Sequence, residues 1–358
     1  MVDAMATEWE RSRCRERLER LSESSLDSES IRREMIAELQ RVIGFDRWCW
    51  PLADPNTLIP CGGGMAELDF GPAVGLSLAL EFSGRDFATM DALGQQASRA
   101  ASLSEATGGD LPRSPRWDVV LRPVGIGDEA IVACRDGLGC WGWIKLYRNS
   151  SDRSFHDGEL DLLRTTSDSL GTALRRSTYP PQPAPARRRP PAVIVLDEEL
   201  RVVSLTAGAR EWIAAFSSAS LYDAFGILPA MVYPAATFAR SSDKASQAHA
   251  LERAIDGQWV MIEAALLEEG PDEHVAVSFR PATPRETFDR LSRICALSAR
   301  ERDVVVALLH GLDTRDTSER LFISPHTVQD HLKSIFEKLG IHSRRELVAT
   351  FSDSADGT

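Results

Sequence analysis

The run from Leu297 to Phe351 constrains the fold of this chain more tightly than any other stretch, because its helix starts and stops are spelled out locally. Ser298 and Glu301 have the Ser-x-x-Glu spacing of a capping box, in which each side chain satisfies the other residue's backbone N–H. Val304, Val305, Ala307, Leu308 and Leu309 follow at helical spacing, and Gly311 stands where a helix end wants a positive φ. Asp313 can cap a second helix through Leu321. Ser324-Pro325 supply an N-cap and a proline at the first helical position, where a missing N–H does no harm. That third helix runs to Leu339 and stops at Gly340, and Ser343 with Glu346 opens a fourth toward Phe351.

In the third helix Val328, Leu332, Ile335 and Leu339 form an apolar stripe, which leaves His326, Thr327, Gln329, Asp330, Lys333 and Ser334 facing outward. Two helices joined by a tight turn, the second with a polar outer face, describe a helix-turn-helix whose second helix enters the major groove. Gln, Asp and Lys are side chains that read adenine, cytosine and guanine edges. The segments ISPHTV, HLKSIFEKLGI and SRREL occur in that order, and with them residues 297–353 resemble the DNA-binding domain of LuxR/FixJ-type transcription regulators. The resemblance implies double-stranded DNA as partner, with Arg315, Ser324, His326, Thr327, Gln329, Asp330, Lys333, Arg344 and Arg345 as candidate contacts. It also implies a dimer surface at Leu347, Val348 and Phe351, and RNA polymerase as a further candidate partner. Two departures from the family pattern stand out. Gln329 replaces a frequent Lys, removing a charge that attracts phosphate, and Thr317-Ser318 replace the usual Ile and Ala, loosening helix two against helix three.

A net charge of −12 argues against nucleic acid until it is divided. Residues 290–350 carry ten Lys/Arg against eight Asp/Glu, a net of +2, so the remainder carries −14. So weak a positive charge predicts modest non-specific affinity and makes two copies on one site the expected binding form.

The preceding residues read as two further domains. Residues 1–176 begin with helices over about 8–24 and 28–43, then the aromatic strand FDRWCWPL. Residues 61–82 are Gly-rich and apolar and carry no firm assignment, a mobile loop over a pocket being one reading; Asp86 to Glu105 reads as one helix; Ser114-Pro115 caps a short helix bearing Trp117. Two β-rich runs flank Asp136-Gly137, a dipeptide suited to a type I′ hairpin, and a helix with Leu160, Leu163, Leu170 and Leu174 inward closes the domain. This order, and GCWGWIKLYR followed by SFHDGELDLL, resembles a GAF sensory domain. Trp48, Trp50, Trp117, Trp141 and Trp143 are candidates to line a pocket for a small apolar ligand, with Trp141 and Trp143 expected on one face of a strand.

Residues 177–191 (STYPPQPAPARRRPP) are a proline-rich linker, with Arg187 to Arg189 read as solvated. From Ala192 to residue 283, strand, acidic turn, strand, helices and a final hairpin resemble a short PAS domain. A receiver domain does not fit, because Phe238-Ala-Arg-Ser-Ser and the lone Lys244 do not supply its later Asp and Lys. Residues 284–296 read as a connecting helix. The expected architecture is multidomain α+β: two α/β sensory domains with antiparallel sheets, GAF-like then PAS-like, followed by an all-α four-helix helix-turn-helix domain.

No nucleotide-binding loop, metalloprotease or nucleophile-elbow motif is present, so neither an enzyme nor a cofactor is expected. The competing reading is a thiol redox enzyme or sensor using Cys134 and Cys140, which flank the predicted hairpin turn; another is a regulator whose sensory domains only dimerise. No run of 18 apolar residues occurs and the first residues are charged, so the expected location is cytoplasmic, away from a membrane.

Overall fold

The computed structural model describes residues 7–178, 189–267 and 273–351, apart from 69, 217–221, 224 and 242. These residues form two compact units, one holding 7–178 with 189–281 and the other 282–351. Most of the predicted linker, 179–188, lies outside the described residues. No helix among the described residues is long and apolar enough to cross a membrane.

The first unit opens with α1 (Glu8–Ser22), started by a Thr7/Glu10 capping box, and α2 (Ser28–Ile43), capped by Asp27 and burying Ile31, Met35 and Leu39. Strands β1 (Arg47–Ala53), β2 (Pro60–Ala66), β3 (Ala100–Ser102), β4 (Ile126–Asp136) and β5 (Gly139–Asn149) form an antiparallel sheet in the order β2-β1-β5-β4-β3. Between them lie α3 (Val74–Phe82), α4 (Met90–Gln95) and α5 (Leu103–Thr107). Helix α6 (Asp157–Thr178) closes over the sheet with Leu160, Leu163, Leu170 and Leu174 buried. It approaches β4 so closely that a Cβ at Gly171 would lie 2.4 Å from the Arg135 carbonyl carbon, and only glycine allows that contact.

Three expectations change here. Residues 61–82 are not a loop: they supply edge strand β2 and helix α3. The single helix expected over 86–105 breaks after α4, because Ala100–Ser102 pair with Val132–Ala130 of β4 and Ser102 then caps α5. Both features depend on partners remote in sequence. The β4–β5 hairpin forms, but its loop is Gly137-Leu138 with neither residue at positive φ, so it is not type I′. Instead the Asp136 carboxylate accepts the Leu138 N–H at 2.8 Å, a local Asx bond that holds the turn.

The rest of this unit repeats the strand order with β6 (Ala192–Leu196), β7 (Val202–Leu205), β8 (His249–Arg253), β9 (Trp259–Leu266) and β10 (Val275–Pro281), arranged β7-β6-β10-β9-β8. The expected hairpin is β9–β10; edge strand β8 was not foreseen. Helices α7 (Ala209–Ala214) and α8 (Val232–Ala239) belong to the same half. One apolar cluster runs through both halves, joining Phe82, Met90 and Trp143 to Trp212, Phe238 and Phe279. Phe82 meets Phe238 edge-on at 5.6 Å, Lys244 pairs with Asp91, and the Leu251 N–H donates to Asp54 at 2.9 Å. Arg189 is not a solvated linker residue. It pairs with Asp256 at 2.8 Å, donates to Gln258 and stacks on Trp212, fastening the chain where the second half begins.

The second unit is helical: α9 (Pro284–Ile294), α10 (Ala299–Leu309), α11 (Thr314–Leu321), α12 (Pro325–Leu339) and α13 (Arg344–Phe351). The predicted starts and stops form. Ser298/Glu301 is a reciprocal capping box, Asp313 and Ser324 are N-caps, and Gly340 ends α12 in the left-handed region. Val304, Val305, Val328, Ile335 and Leu347 make the centre of the core.

Candidate nucleic-acid interface

Helix α12 buries Val328, Leu332, Ile335 and Leu339, which leaves the opposite side free to carry polar groups. His326, Gln329, Asp330 and Lys333 are exposed, and Thr327 is half-buried. The Ser324 hydroxyl accepts the Thr327 N–H at 3.1 Å and shares a second bond with the Thr327 hydroxyl at 2.9 Å, so both are engaged in starting the helix. His326 lies 3.8 Å from Asp330, and Gln329 donates to the Thr314 hydroxyl of α11 at 3.2 Å. Gln329 must release that bond, or use its amide oxygen, to read a base. Arg315 is exposed and tied to Glu319 at 3.2 Å. Arg344 donates to the Leu312 carbonyl and is half-buried, so it braces the turn after α10; Arg345 is exposed.

Ser334 does not face outward. Its hydroxyl donates to Glu301 of α10 at 2.6 Å, and Lys338 reaches the same carboxylate at 2.7 Å. Glu301 also accepts the Ser298 N–H at 2.6 Å, so the residue that caps α10 clamps the later half of α12 as well. Burial alone would raise the Glu301 carboxyl, but Lys338, Ser334 and Ser298 outweigh it and hold it at about 2. Ser334 and Lys338, four apart beside the buried stripe, were the overlooked signal. Ser318 finds a partner in the Arg315 carbonyl at 2.7 Å, whereas the Thr317 hydroxyl is fully buried with no hydrogen-bond partner.

The expected dimer surface is largely occupied within the chain. Leu347 is fully buried, and Phe351 packs edge-on against Phe288 of α9 at 5.2 Å; Val348 is half-buried. An apolar strip on a terminal helix satisfies an intrachain neighbour as readily as a second copy.

In the first unit the tryptophans do not gather. Trp48 is opposite Leu146, on the face away from Lys145 and Tyr147, and Trp50 follows it by strand alternation. Trp48 lines a cavity of about 370 Å³ with Arg32, Arg33, Met65 and Glu67. Cys134 pairs with Gly142 and Arg135 with Cys140, so Trp141 is the extra residue of a bulge, and the expected alternation with Trp143 fails. The Trp141 indole N–H donates to Asp136, which also holds Arg175 of α6, while Trp143 enters the shared apolar cluster. Trp117 packs against a separate apolar cluster that holds Leu103, Val120 and Tyr147. Burial pushes the Cys134 thiol well up and the Cys140 thiol to about 12, which disfavours the thiolate that redox chemistry uses.

A buried charge cluster was missed at the sequence level. Arg116 holds both oxygens of Glu129 at 2.7 and 2.8 Å, and its Nε lies 3.1 Å from Glu81 and 3.2 Å from Asp86. Lys145 meets Glu81 at 2.7 Å and Glu129 at 3.2 Å. Burial would raise the Glu81 carboxyl, yet Arg116 and Lys145 win and hold it below its ordinary value.

The luxR family of bacterial regulatory proteins matches residues 295–351. An HTH-type transcriptional regulator of Mycobacterium tuberculosis is 49% identical over 53 residues, 15% of this chain but only 6% of that protein's length. The spore germination protein GerE of Bacillus subtilis is 36% identical over 52 residues, 14% of this chain and 70% of GerE. Among solved structures, Escherichia coli SdiA aligns over 95% of both chains at a TM-score of 0.34 and 12% identity. The phycoerythrobilin-bound GAF domain of a cyanobacterial phytochrome aligns over 46% of this chain and 93% of that domain, at 0.30 and 15%. At such scores neither likeness fixes the fold of the first unit. By its C-terminal helix-turn-helix, residues 295–351, the chain belongs to the luxR family of bacterial regulatory proteins.

Proposed function

We propose that this protein is a sequence-specific DNA-binding regulator of transcription that acts in the cytoplasm as a homodimer. The observation that carries this reading is α12: its apolar stripe is buried in its own unit while His326, Gln329, Asp330 and Lys333 stand exposed together. The weak local charge supports a dimer, since one nearly neutral copy gains little from phosphate. In this reading the first unit, a GAF-like half followed by a PAS-like half, sets whether two α12 helices can enter half-sites one helical turn apart. A ligand there, or a change in subunit contacts that recruits RNA polymerase, must favour one arrangement over the other to act.

Genome-wide mapping of bound DNA followed by footprinting tests the reading and yields the operator and its half-site spacing. On that operator Lys333→Ala should weaken binding by about 1–3 kcal/mol and relax preference at one base pair. Unchanged affinity and unchanged preference would remove Lys333 from the contact set, and no footprint at all would remove the function.

A further inference from the structure

Phe322 occupies the turn between α11 and α12 with φ 55 and ψ 46, the left-handed region that glycine enters freely and a bulky side chain resists. The residue is 94% exposed, more than any other large hydrophobic among the described residues. Two unfavourable features therefore coincide, a strained backbone and an aromatic ring left in water, and at that exposure the fold recovers almost nothing from the ring. A costly outlier of this kind points outward, to something the chain meets.

The neighbours indicate what that is. Arg320, two residues earlier, is exposed and carries no ion pair among the described residues, whereas Arg315 is held by Glu319. Ser324, two residues later, caps α12, and His326 follows fully in solvent. Along the chain Phe322 thus lies between exposed Arg320 and the N-terminal end of α12, the end that helix-turn-helix geometry brings to the bases.

We propose that Phe322 is a DNA-contact residue whose ring lies against the deoxyribose at the edge of the groove that α12 enters, with Arg320 on the adjoining phosphate. The inference rests on α12 being the recognition helix. A protein partner would also cover an aromatic ring, but its place in the turn that leads into α12, with exposed Arg320 two residues earlier, fits a phosphate backbone better. Sugar and phosphate are common to every sequence, so this contact adds affinity without sequence preference.

The test uses the full chain and two duplexes at one salt concentration: one selected by the wild-type protein from a random-sequence pool, and one unselected. Phe322→Gly removes both the ring and the strain, and Phe322→Asn, which also tolerates the left-handed backbone, is the second variant. Both should fold with an equal or higher melting temperature and bind both duplexes roughly five- to thirtyfold more weakly, the ratio between duplexes unchanged. Phe322→Tyr should restore wild-type affinity, and Arg320→Gln should lower the salt slope by about one unit. Folded glycine and asparagine variants that bind as tightly as wild type would overturn the proposal while Lys333→Ala still upheld the recognition helix. The same result with reduced transcription in vitro would assign the ring to polymerase instead. A folded wild-type protein that selects no duplex would overturn the DNA-binding reading itself, and this inference with it.

Discussion

On the first sheet Arg116, Lys145, Glu81, Asp86 and Glu129 bury one another, whereas in the helical unit a single carboxylate, Glu301, is buried against donors from two helices and the Thr317 hydroxyl is buried against none. The contrast teaches how the consequence of a buried polar group depends on its partners. Each cation in the closed cluster faces at least two carboxylates, so removing one carboxylate leaves charge stranded in a dry interior. Glu301 sits nearer the surface, where Lys338 is still 35% exposed, so its loss is partly screened. Thr317 makes nothing, and its loss should help. The apolar cluster of the second half of the first unit, which holds Ile194, Trp212, Phe238, Ile262 and Phe279, provides the uncharged reference.

The sharpest way to break this comparison is Glu129→Ala, which should destabilise the first unit by about 3–5 kcal/mol, against about 0.5–1.5 kcal/mol for Ile262→Val in the apolar half. Denaturant unfolding of the full chain measures both, and similar losses would mean that the ions are solvated rather than sealed.

Next in size is Glu301→Gln, expected to cost the helical unit roughly 1–3 kcal/mol near neutral pH. The folded carboxyl, near 2, lies below its ordinary 4.5, so its contribution is complete above about 4.5 and disappears as pH falls from there through about 2. Hydrogen exchange of residues 297–351 across that window should show wild type losing protection with acid and the glutamine variant losing less. Parallel curves for the two proteins would place the acid sensitivity elsewhere.

The smallest effect has the opposite sign. Thr317→Val keeps the shape and removes the orphaned hydroxyl, so it should stabilise the helical unit by about 1 kcal/mol. A loss of stability would show that the hydroxyl has a partner, such as a bound water.

These polar devices also mark how far the sequence could be read. The ends of α10, α11 and α12 were legible because a cap is a bargain among residues three or four apart: Ser298 with Glu301, Ser324 with Thr327, Gly340 with its own backbone. The exposed face of α12 followed from its period for His326, Gln329, Asp330 and Lys333, but not for Ser334, whose partner lies 33 residues away. The charge cluster was hidden because its members are scattered from Glu81 to Lys145 and none has a local signature.

Local chemistry alone therefore determined where the helices of the second unit begin and end, the position of the β4–β5 turn at Asp136, and the family of residues 295–351. Tertiary structure decided the rest. A bulge at Trp141 separated tryptophans that simple alternation had placed together. Short edge strands such as β3 and β8 exist only because β4 and β9 are there to pair with them. The packing of the two halves of the first unit on each other rests on Phe82 meeting Phe238 and Asp54 meeting Leu251, contacts between residues 156 and 197 positions apart. Hydrogen bonds and apolar contacts at such separations form only after the chain has folded back on itself, and no local pattern records where it will do so.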